Sequence, residues 1–502
     1  MVRTTAFYRS TKPTNKCYNT YVKKIIISKL FLYRYRFVIG YMVLGFVFAF
    51  LLFLLPMIAQ RGLSQEEVSS VTTSFKLSTA NILEGNLIDL PYHTLQKLSV
   101  MIFGLTPFAI KLPSIIVGLI LGFLLILLLN RWFKSNVSLL ASCLMILSTP
   151  FLFLAGSGTP LIMIVFWPTL LLWLGSKIQG EKRPKPLYCF MFAIAMLISV
   201  FTPYMIYFAA FCVIFVLCQP HLRFIVKDLP KIPFVIISLF SLCGFVLLGI
   251  GIFHRPEIIP ELLLSKGFTP SDFFNNIMSG LAPVFSWHHS IESVYLSPLI
   301  SLPVFALALI GLFSTTKGFF ASRNSIASLL LVFCLIITGF NSDAVIFFIL
   351  PCSILIAHGI KYLLEKWYGL FPENPYARIS ALLPLVILFA IIIIPSLLQY
   401  TYGYRYNPST AERFSYKLNV INENLNEGVL FVFDNYDFYD VLERSTNVKV
   451  INTLDEEYEA IAFLGKPEDL DDKYQLVQIF TSPMRDNSDI IYLYTVTEKE
   501  GE

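Results

Sequence analysis

The first polar segment of this hydrophobic chain, residues 60–111, holds side chains that could do chemistry. Its acidic residues and histidine are Glu66, Glu67, Glu84, Asp89 and His93. Carboxylates and imidazoles are the groups that most often transfer protons or bind divalent cations in enzymes. A structural interpretation also fits, because Ser64 and Glu67 have the spacing of a helix capping box. These residues leave both interpretations open.

The second polar segment, residues 253–296, adds a second group of candidates. Its candidate residues include His254, Arg255, Lys266, Trp287, His288, His289 and Glu292. Two adjacent histidines cannot easily bind one metal ion together, but one of them could join a carboxylate from the first segment. Histidine and tryptophan also pack near lipid headgroups, so an interfacial role is the alternative.

Composition makes this a polytopic membrane protein. The 502 residues are 56% hydrophobic and only 14% charged, whereas soluble domains carry about 25% charged residues. Apolar runs long enough for a spanning helix recur along the chain. The eight cysteines show no CxxC spacing, and we interpret them as small hydrophobic residues rather than metal ligands or disulfides.

Charge is distributed unevenly and predicts the topology. Residues 1–36 are basic and contain no acid, whereas residues 401–502 hold roughly 20 acidic and 9 basic residues. The positive-inside rule therefore places the N-terminus in the cytoplasm. Eleven predicted spans cover residues 37–59, 112–130, 137–155, 160–176, 187–201, 204–218, 232–252, 297–314, 325–340, 344–362 and 379–399.

Three regions follow from this topology: a basic cytoplasmic tail at 1–36, a membrane domain at 37–400, and an outward domain at 401–502. The assignment depends on a helix break at Thr202-Pro203, because one long helix over 187–218 would invert all later spans. The segment 60–111 then faces outward, where a helix over 67–83 could lie along the membrane surface. Span interiors hold almost no ionisable residues, which argues against an ion-coupled transporter.

The last hundred residues predict a small α/β domain. A helix bearing Phe414, Leu418, Ile421 and Leu425 is expected after Ser409 or Thr410 and is expected to end at Gly428. Strands are predicted at 429–433, 448–451 and 490–496, with a helix at 437–446. The domain has no glycine-rich phosphate loop and no nucleophile motif, so we expect a structural or partner-docking role for it.

Several segments resemble bacterial GT-C-fold glycosyltransferases of the protein O-mannosyltransferase and lipid A aminoarabinose transferase superfamily. The likeness is most specific in GLSQEEV, LIDLPYHTL and FGLTPFAIKLPSIIVGLI. NRWF (130–133), STPFLFLAG (148–156) and FILPCSILIAHGIKYL (348–363) are similar to later parts of the pattern. The resemblance covers most of the membrane region and implies a GT-C-like helical fold with an outward C-terminal domain.

Within this resemblance, Glu66 matches the acid that acts as general base, and Glu67 matches the neighbouring glutamate of the family's Asp-Glu pair. Glu66 replaces an aspartate and is one methylene longer. The family often has an arginine and an aspartate in the outward turn after the third span. Here residues 156–159 carry no charge.

Ligands for a phosphate and a metal are implied in the same way. Asp89, which precedes the Leu90-Pro91 that stands for a Pro-Pro motif, matches a metal-binding acid of some members. One of His288 and His289 resembles the histidine that completes such a site, so a divalent ion is a possible cofactor. The cations expected near a substrate phosphate are Lys97, Lys111, Arg255 and Lys266.

The predicted function is transfer of a sugar from a polyprenyl-phosphate donor to a protein, lipid or glycan acceptor. The reaction would occur on the outer face of the bacterial cytoplasmic membrane, with lipid and an envelope acceptor as partners and no nucleic acid. The alternative is a non-catalytic membrane scaffold or lipid-linked-glycan binding protein on the same fold.

Overall fold

The computed structural model describes residues 31–496, except 61, 78–86, 180–185, 228–230, 257, 264–268, 286–297, 299, 318–320, 371–375, 377–379, 381, 412, 426, 445, 455–457, 468–469, 471–472 and 482–489. Contacts divide the chain into two compact units, Met1–Leu51 and Leu52–Glu502. The domain boundaries expected near residues 36 and 400 stay a prediction.

Helices dominate the chain, because a segment within lipid must satisfy its backbone hydrogen bonds internally. Up to residue 263 they are α1 Phe31–Ala59, α2 Gln65–Lys76, α3 Leu90–Phe103, α4 Pro107–Trp132, α5 Ser135–Ile146, α6 Thr149–Gly156, α7 Met163–Gln179, α8 Pro186–Ser199, α9 Met205–Cys218, α10 Pro220–Lys227, α11 Lys231–His254 and α12 Ile258–Leu263. Short 3-10 turns lie at Pro160–Ile162 and Pro270–Asp272.

The later helices continue this pattern and become shorter after residue 400. They are α13 Phe273–Phe285, α14 Leu302–Thr316, α15 Ser322–Phe340, α16 Ile349–Leu370, α17 Leu382–Leu398, α18 Tyr404–Tyr406, α19 Pro408–Ala411, α20 Lys417–Asn424 and α21 Tyr436–Glu443. A 3-10 segment, Ser342–Phe348, precedes α16, and a π-helical turn, Gln399–Gly403, follows α17.

Each predicted span coincides with a helix, but length and apolarity support a smaller number of spans. Among the described residues, six helices are long and apolar enough to cross a membrane, or seven if the bent pair α5–α6 is one span. Shorter apolar helices occupy the other predicted positions. The protein therefore has several membrane spans, and the count of eleven stays a prediction.

The expected break between the fifth and sixth predicted spans is present. α8 ends at Ser199 and α9 begins at Met205. Between them, Tyr204 adopts a left-handed backbone with φ of 66°, a conformation that is uncommon for a residue other than glycine. The predicted break at Thr202-Pro203 is therefore confirmed, whereas the membrane orientation derived from it stays a prediction.

A five-stranded mixed sheet lies at the C-terminal end. Its strands are β3 Glu427–Phe431, β4 Asn447–Ile451, β5 Ala460–Leu464, β6 Tyr474–Phe480 and β7 Ile491–Val496. The spatial order is β4-β3-β5-β7-β6, in which β3 pairs in parallel with β4 and β5 while β7 is antiparallel to its neighbours. α21 connects β3 to β4, so this part of the chain is α/β as predicted.

Two expectations for this region need correction. Phe414 does not belong to the predicted helix, because it lies in the short strand β2, Phe414–Ser415, while α20 begins at Lys417. Gly428 does not end a helix, because it lies within β3 with φ of +126°. β5 and β6 were not predicted.

The C-terminal sheet shares its core with the first polar segment. β2 pairs with β1, Leu63–Ser64, in antiparallel register. One buried cluster joins side chains of α2, α3 and α4 to those of α20 and β3, among them Val71, Val100, Ile110, Leu418, Ile421 and Leu430. Burying this apolar surface fixes α2 against the sheet.

The amphipathic surface helix expected at 67–83 is different in the structure. α2 ends at Lys76 and buries Glu67, Ser70, Val71 and Ser74, and residues 78–83 lie outside the described part. α3 has the exposed apolar face instead, formed by Leu95, Leu98, Met101, Ile102 and Phe103. Such a face is typical of a helix at a membrane interface.

Helices α14 and α16 approach closely at two glycines. A Cβ atom at Gly311 would overlap the carbonyl oxygen of Leu355, and one at Gly359 would overlap that of Leu307. Small residues at such crossings allow helix backbones to pack tightly in membranes.

We predict that Gly359→Val destabilises the protein by about 1–3 kcal/mol or more, because the added carbons overlap backbone that cannot move aside. Gly369→Val is the matched control, because it lies on the same helix and a Cβ there has no neighbour within 4 Å. Thermal unfolding in detergent measures the difference. Equal melting temperatures for the two variants would contradict the close packing.

Candidate active site

The N-terminus of α2 is fixed by a complete capping box. The Ser64 hydroxyl accepts a hydrogen bond from the Glu67 backbone N–H at 3.3 Å, and the Glu67 Oε2 accepts one from the Ser64 N–H at 2.8 Å. The predicted cap is therefore confirmed. Because the cap turns Glu67 inward, the preceding Glu66 lies on the exposed side of the helix.

Glu67 also belongs to a buried ion pair. Its Oε1 accepts a hydrogen bond from the Gly158 N–H at 2.6 Å and lies 3.9 Å from the Lys111 Nζ. Lys111 donates to the carbonyl oxygens of Gln60 at 2.6 Å and Gly62 at 3.0 Å. Both charged side chains are 1% exposed. We call these five residues the Glu67–Lys111 clamp.

The clamp joins four parts of the chain: the end of α1, the start of α2, the start of α4 and the turn after α6. The uncharged turn 156–159 belongs to it because Gly158 donates its N–H to Glu67. A Cβ at Gly158 would approach Ile110, and one at Gly156 would approach Pro56. The turn is therefore packed too tightly for the charged residues that the family pattern has there.

A second polar network supports α2 from its inner face. Gln96 accepts hydrogen bonds from the hydroxyls of Ser70 and Ser74, both at 2.8 Å, and donates to the Gly158 carbonyl at 2.8 Å. Ser74 also contacts His93 Nδ1 at 2.9 Å. Burial lowers the pKa of His93 to about 4, so the imidazole is neutral near pH 7.

Asp89 is held in an unusual environment before α3. Its backbone is left-handed with φ of 52°, and its N–H donates to the Phe201 carbonyl at 2.8 Å. Burial raises the pKa of its carboxyl to about 8, although a hydrogen bond with Thr202 opposes this shift. Within the described part of the chain, Asp89 Oδ1 has no hydrogen-bond partner.

Glu66 lines a cleft of about 490 Å³ between the start of α2 and the C-terminal domain. The opposite wall includes Arg413, Lys417 and Asp434. Because Glu66 is the candidate general base, we call this the active-site cleft. It places a carboxylate beside two cations, a set that could remove a proton and bind an anion at one site.

The second wall of this cleft was not predicted from the sequence. Arg413 and Lys417 flank β2, which is only two residues long and has no periodicity that could identify a strand. The available signal was the pair of basic residues close behind the last span in an otherwise acidic tail. The expectation of a structural or partner-docking role for the C-terminal region did not use it.

The predicted phosphate-binding residues that the structure describes have different surroundings. Lys97 donates to the Leu77 carbonyl at 2.6 Å, and Lys111 is buried in the clamp. Arg255 is exposed beyond the end of α11. Lys266, His288 and His289 lie outside the described residues.

Of the predicted metal ligands, the structure describes Asp89, whereas His288 and His289 lie outside the described residues. Among the described residues, no group of three or more His, Cys, Asp or Glu side chains could hold a metal ion. Asp89 alone does not make such a site, because divalent ions in proteins take several ligands. The described residues therefore do not fit a metal centre.

Known structures with a similar architecture identify the fold. ArnT from Cupriavidus metallidurans in the apo state matches with a TM-score of 0.53 at 11% identity, covering 91% of this chain and 98% of that one. The chain has the GT-C glycosyltransferase fold. A family model of dolichyl-phosphate-mannose-protein mannosyltransferases matches residues 92–248. No curated protein sequence matches the chain.

The GT-C fold is shared with a larger enzyme as well. The Archaeoglobus fulgidus oligosaccharyltransferase, tethered to an acceptor peptide, matches with a TM-score of 0.51 at 12% identity, covering 84% of this chain. AglB from the same organism, in complex with an inhibitory peptide and a dolichol-phosphate, matches with a TM-score of 0.50 at 11% identity, also covering 84% of this chain. The present chain spans 64% and 65% of the length of those two archaeal chains, respectively.

We predict that Glu67→Gln and Lys111→Met each lower the unfolding free energy by about 3–5 kcal/mol, because each leaves a buried charge without its partner. The double variant should lose less than the sum, since neither charge then remains. Equilibrium unfolding in mixed detergent micelles measures this. Lys361→Met, in the more exposed Lys361–Glu365 pair, is the control and should change stability by less than about 1 kcal/mol.

We also predict a pH dependence from Asp89. Its folded pKa of about 8 lies above its ordinary 3.8, so the folded state keeps a proton that the unfolded chain releases, and stability falls as pH rises from about 4 to about 8. The pKa of His93 is lowered to about 4, so its effect on stability has the opposite sign. Stability rises with pH from about 4 to the ordinary histidine value of 6.5. Between pH 6.5 and 8, Asp89 is the one of these two residues that changes the stability with pH.

Melting temperatures at pH 6.5 and pH 8 measure the Asp89 effect. The wild type should lose stability over this range relative to Asp89→Asn, because asparagine tolerates the left-handed backbone and does not titrate. Asp437→Asn, at an exposed position, should behave like the wild type. A wild type that follows the Asp89→Asn profile would show that Asp89 is ionised throughout this range.

Proposed function

We propose that this protein is a membrane glycosyltransferase that moves a sugar from a polyprenyl-phosphate donor to an acceptor hydroxyl. The observation that carries the proposal is the position of Glu66, on the rim of a cleft with cations opposite and on a helix fixed by a buried ion pair. The GT-C fold of the chain agrees with it, as does the dolichol-phosphate bound to the structurally similar AglB.

Glu66 acts as the general base in this proposal. Its carboxylate removes the proton from the acceptor hydroxyl while that oxygen forms a bond to C1 of the sugar. The bond between C1 and the phosphate oxygen breaks, and its electron pair stays with that oxygen. The products are the glycosylated acceptor, polyprenyl phosphate and a protonated Glu66.

Arg413 and Lys417 stabilise the charge that develops on the leaving phosphate. Both residues line the cleft that Glu66 lines, and both follow closely on the candidate span Leu383–Tyr406. A lipid phosphate lies at the membrane surface while its chain stays in the bilayer, so cations near the end of a span are well placed for it. Lys111 serves as a positioning residue for Glu66 in this proposal.

The outer face of the bacterial cytoplasmic membrane remains the proposed location, on the strength of the basic N-terminal tail and the acidic C-terminal region. No reaction step is assigned to a metal ion, because the described residues do not fit one.

We predict that Glu66→Gln lowers sugar transfer by about 10²- to 10⁴-fold, the usual contribution of a general base. The assay uses purified protein in lipid with radiolabelled polyprenyl-phosphate sugars and a panel of acceptors. Glu365→Gln makes the same chemical change at an exposed position on α16 and should retain full activity. Full transfer by Glu66→Gln would refute the assignment of Glu66.

A further inference from the structure

A second cleft of about 500 Å³ lies beside the active-site cleft. One wall is the outer face of α2, with Ser69, Thr72 and Thr73, and the other is the start of α21, with Asn435, Tyr436 and Asp437. We call it the hydroxyl cleft. The two clefts share Gln65 and Asn435 in their linings, so a ligand in one borders the other.

The hydroxyl residues on α2 have no structural explanation on the outer face of the helix. Serine and threonine are poor helix formers compared with the glutamate and lysine that usually cover exposed helix surfaces. The inward Ser70 and Ser74 are explained by their hydrogen bonds to Gln96. A local departure from helix propensity without a packing role points to a binding function.

The outward hydroxyls present acceptor oxygens to the cleft. Thr72 donates its hydrogen to the Val68 carbonyl and Thr73 donates to the Ser69 carbonyl, both at 2.9 Å. The hydrogens are therefore used within the helix, while the lone pairs of each oxygen remain available. A ligand that fits this wall must bring hydrogen-bond donors.

The opposite wall supplies both kinds of polar group. Asn435 has a left-handed backbone with φ of 60°, and its Oδ1 accepts a hydrogen bond from Gln65 Nε2 at 3.4 Å across the cleft. The Lys76 Nζ lies 2.5 Å from Asp437 Oδ2 and joins the walls at their other end. Tyr436 adds a half-buried aromatic ring.

A carbohydrate matches this set of groups. Each sugar hydroxyl is both a donor and an acceptor, so a saccharide can donate to threonine and carboxylate oxygens and accept from amide N–H groups. A peptide would be favoured by an open strand edge or a hydrophobic groove for a helix. Here the hydroxyl cleft has helical walls that are mostly polar and include the apolar Val68 and Phe438.

We propose that the hydroxyl cleft binds the acceptor and that the acceptor is a carbohydrate. This inference rests on the proposed transfer reaction, because it assigns the substrate for the same Glu66. The bound saccharide extends past Gln65 and Asn435, so that one hydroxyl reaches the active-site cleft.

Direct binding tests this inference without depending on catalysis. The full-length protein in lipid nanodiscs is titrated with neutral di- and trisaccharides of hexoses and N-acetylhexosamines. A second panel contains hexapeptides with serine and threonine, and saturation-transfer NMR measures both. The double variant Thr72→Val/Thr73→Val removes both hydroxyls at nearly constant shape. Thr316→Val is the control, because its hydroxyl also donates within its own helix, to Phe313, but at another site.

We expect at least one saccharide to bind the wild type, and the double variant to bind it about tenfold or more weakly. Thr316→Val should keep the wild-type affinity. The inference is overturned if no saccharide binds, if the double variant binds as well as the wild type while keeping its melting temperature, or if only peptides bind. If saccharides bind as expected but no donor supports transfer, the proposed reaction fails while the carbohydrate site stands.

Discussion

The buried ion pair between Glu67 and Lys111 is the constraint on which the candidate site depends. Two opposite charges removed from water cost several kcal/mol each, and only good geometry and additional hydrogen bonds offset that cost. Here the carboxylate has two backbone N–H donors and the ammonium has two backbone carbonyl acceptors. The backbone around the pair must therefore keep one arrangement, and Glu66, the residue of α2 that precedes Glu67, keeps a fixed exposed position.

The same interaction places the second wall of the active-site cleft. Gly62, whose carbonyl accepts from Lys111, sits against Ser415, where only a residue without a Cβ fits. The Lys111 Nζ also lies 5.8 Å from the centre of the Phe414 ring, within range of a cation–π interaction. The strand that brings Arg413 and Lys417 to Glu66 is thus positioned by the residues that orient α2. A candidate site built from segments more than 300 residues apart needs such a link.

The sequence predicted the features that have a strong local signal. Apolar runs gave the helix positions, Ser64 and Glu67 gave the cap of α2, and the Glu66-Glu67 pair gave the resemblance that agrees with the observed fold. What it missed depends on tertiary contacts. Lys111 has the sequence context of a surface cation near a span end, and only the structure shows that its ammonium is buried against carbonyl groups.

Short strands were the other source of error. β1 and β2 are each two residues long, which is too short for a strand pattern. Their pairing, which forms part of the cleft, could therefore not be predicted from the sequence. Phe414 was assigned to a helix because its spacing from Leu418 fits a helical period. In the structure Phe414 is instead a strand residue beside Lys111.

The central claim is that one cleft brings Glu66 and the cations Arg413 and Lys417 to a single lipid phosphate. An experimental structure of the full-length protein in nanodiscs with bound polyprenyl phosphate tests it most directly. The account predicts phosphate density in the active-site cleft, within hydrogen-bond distance of Arg413 or Lys417 and on the Glu66 side. Phosphate density at another site, with this cleft empty, would contradict it.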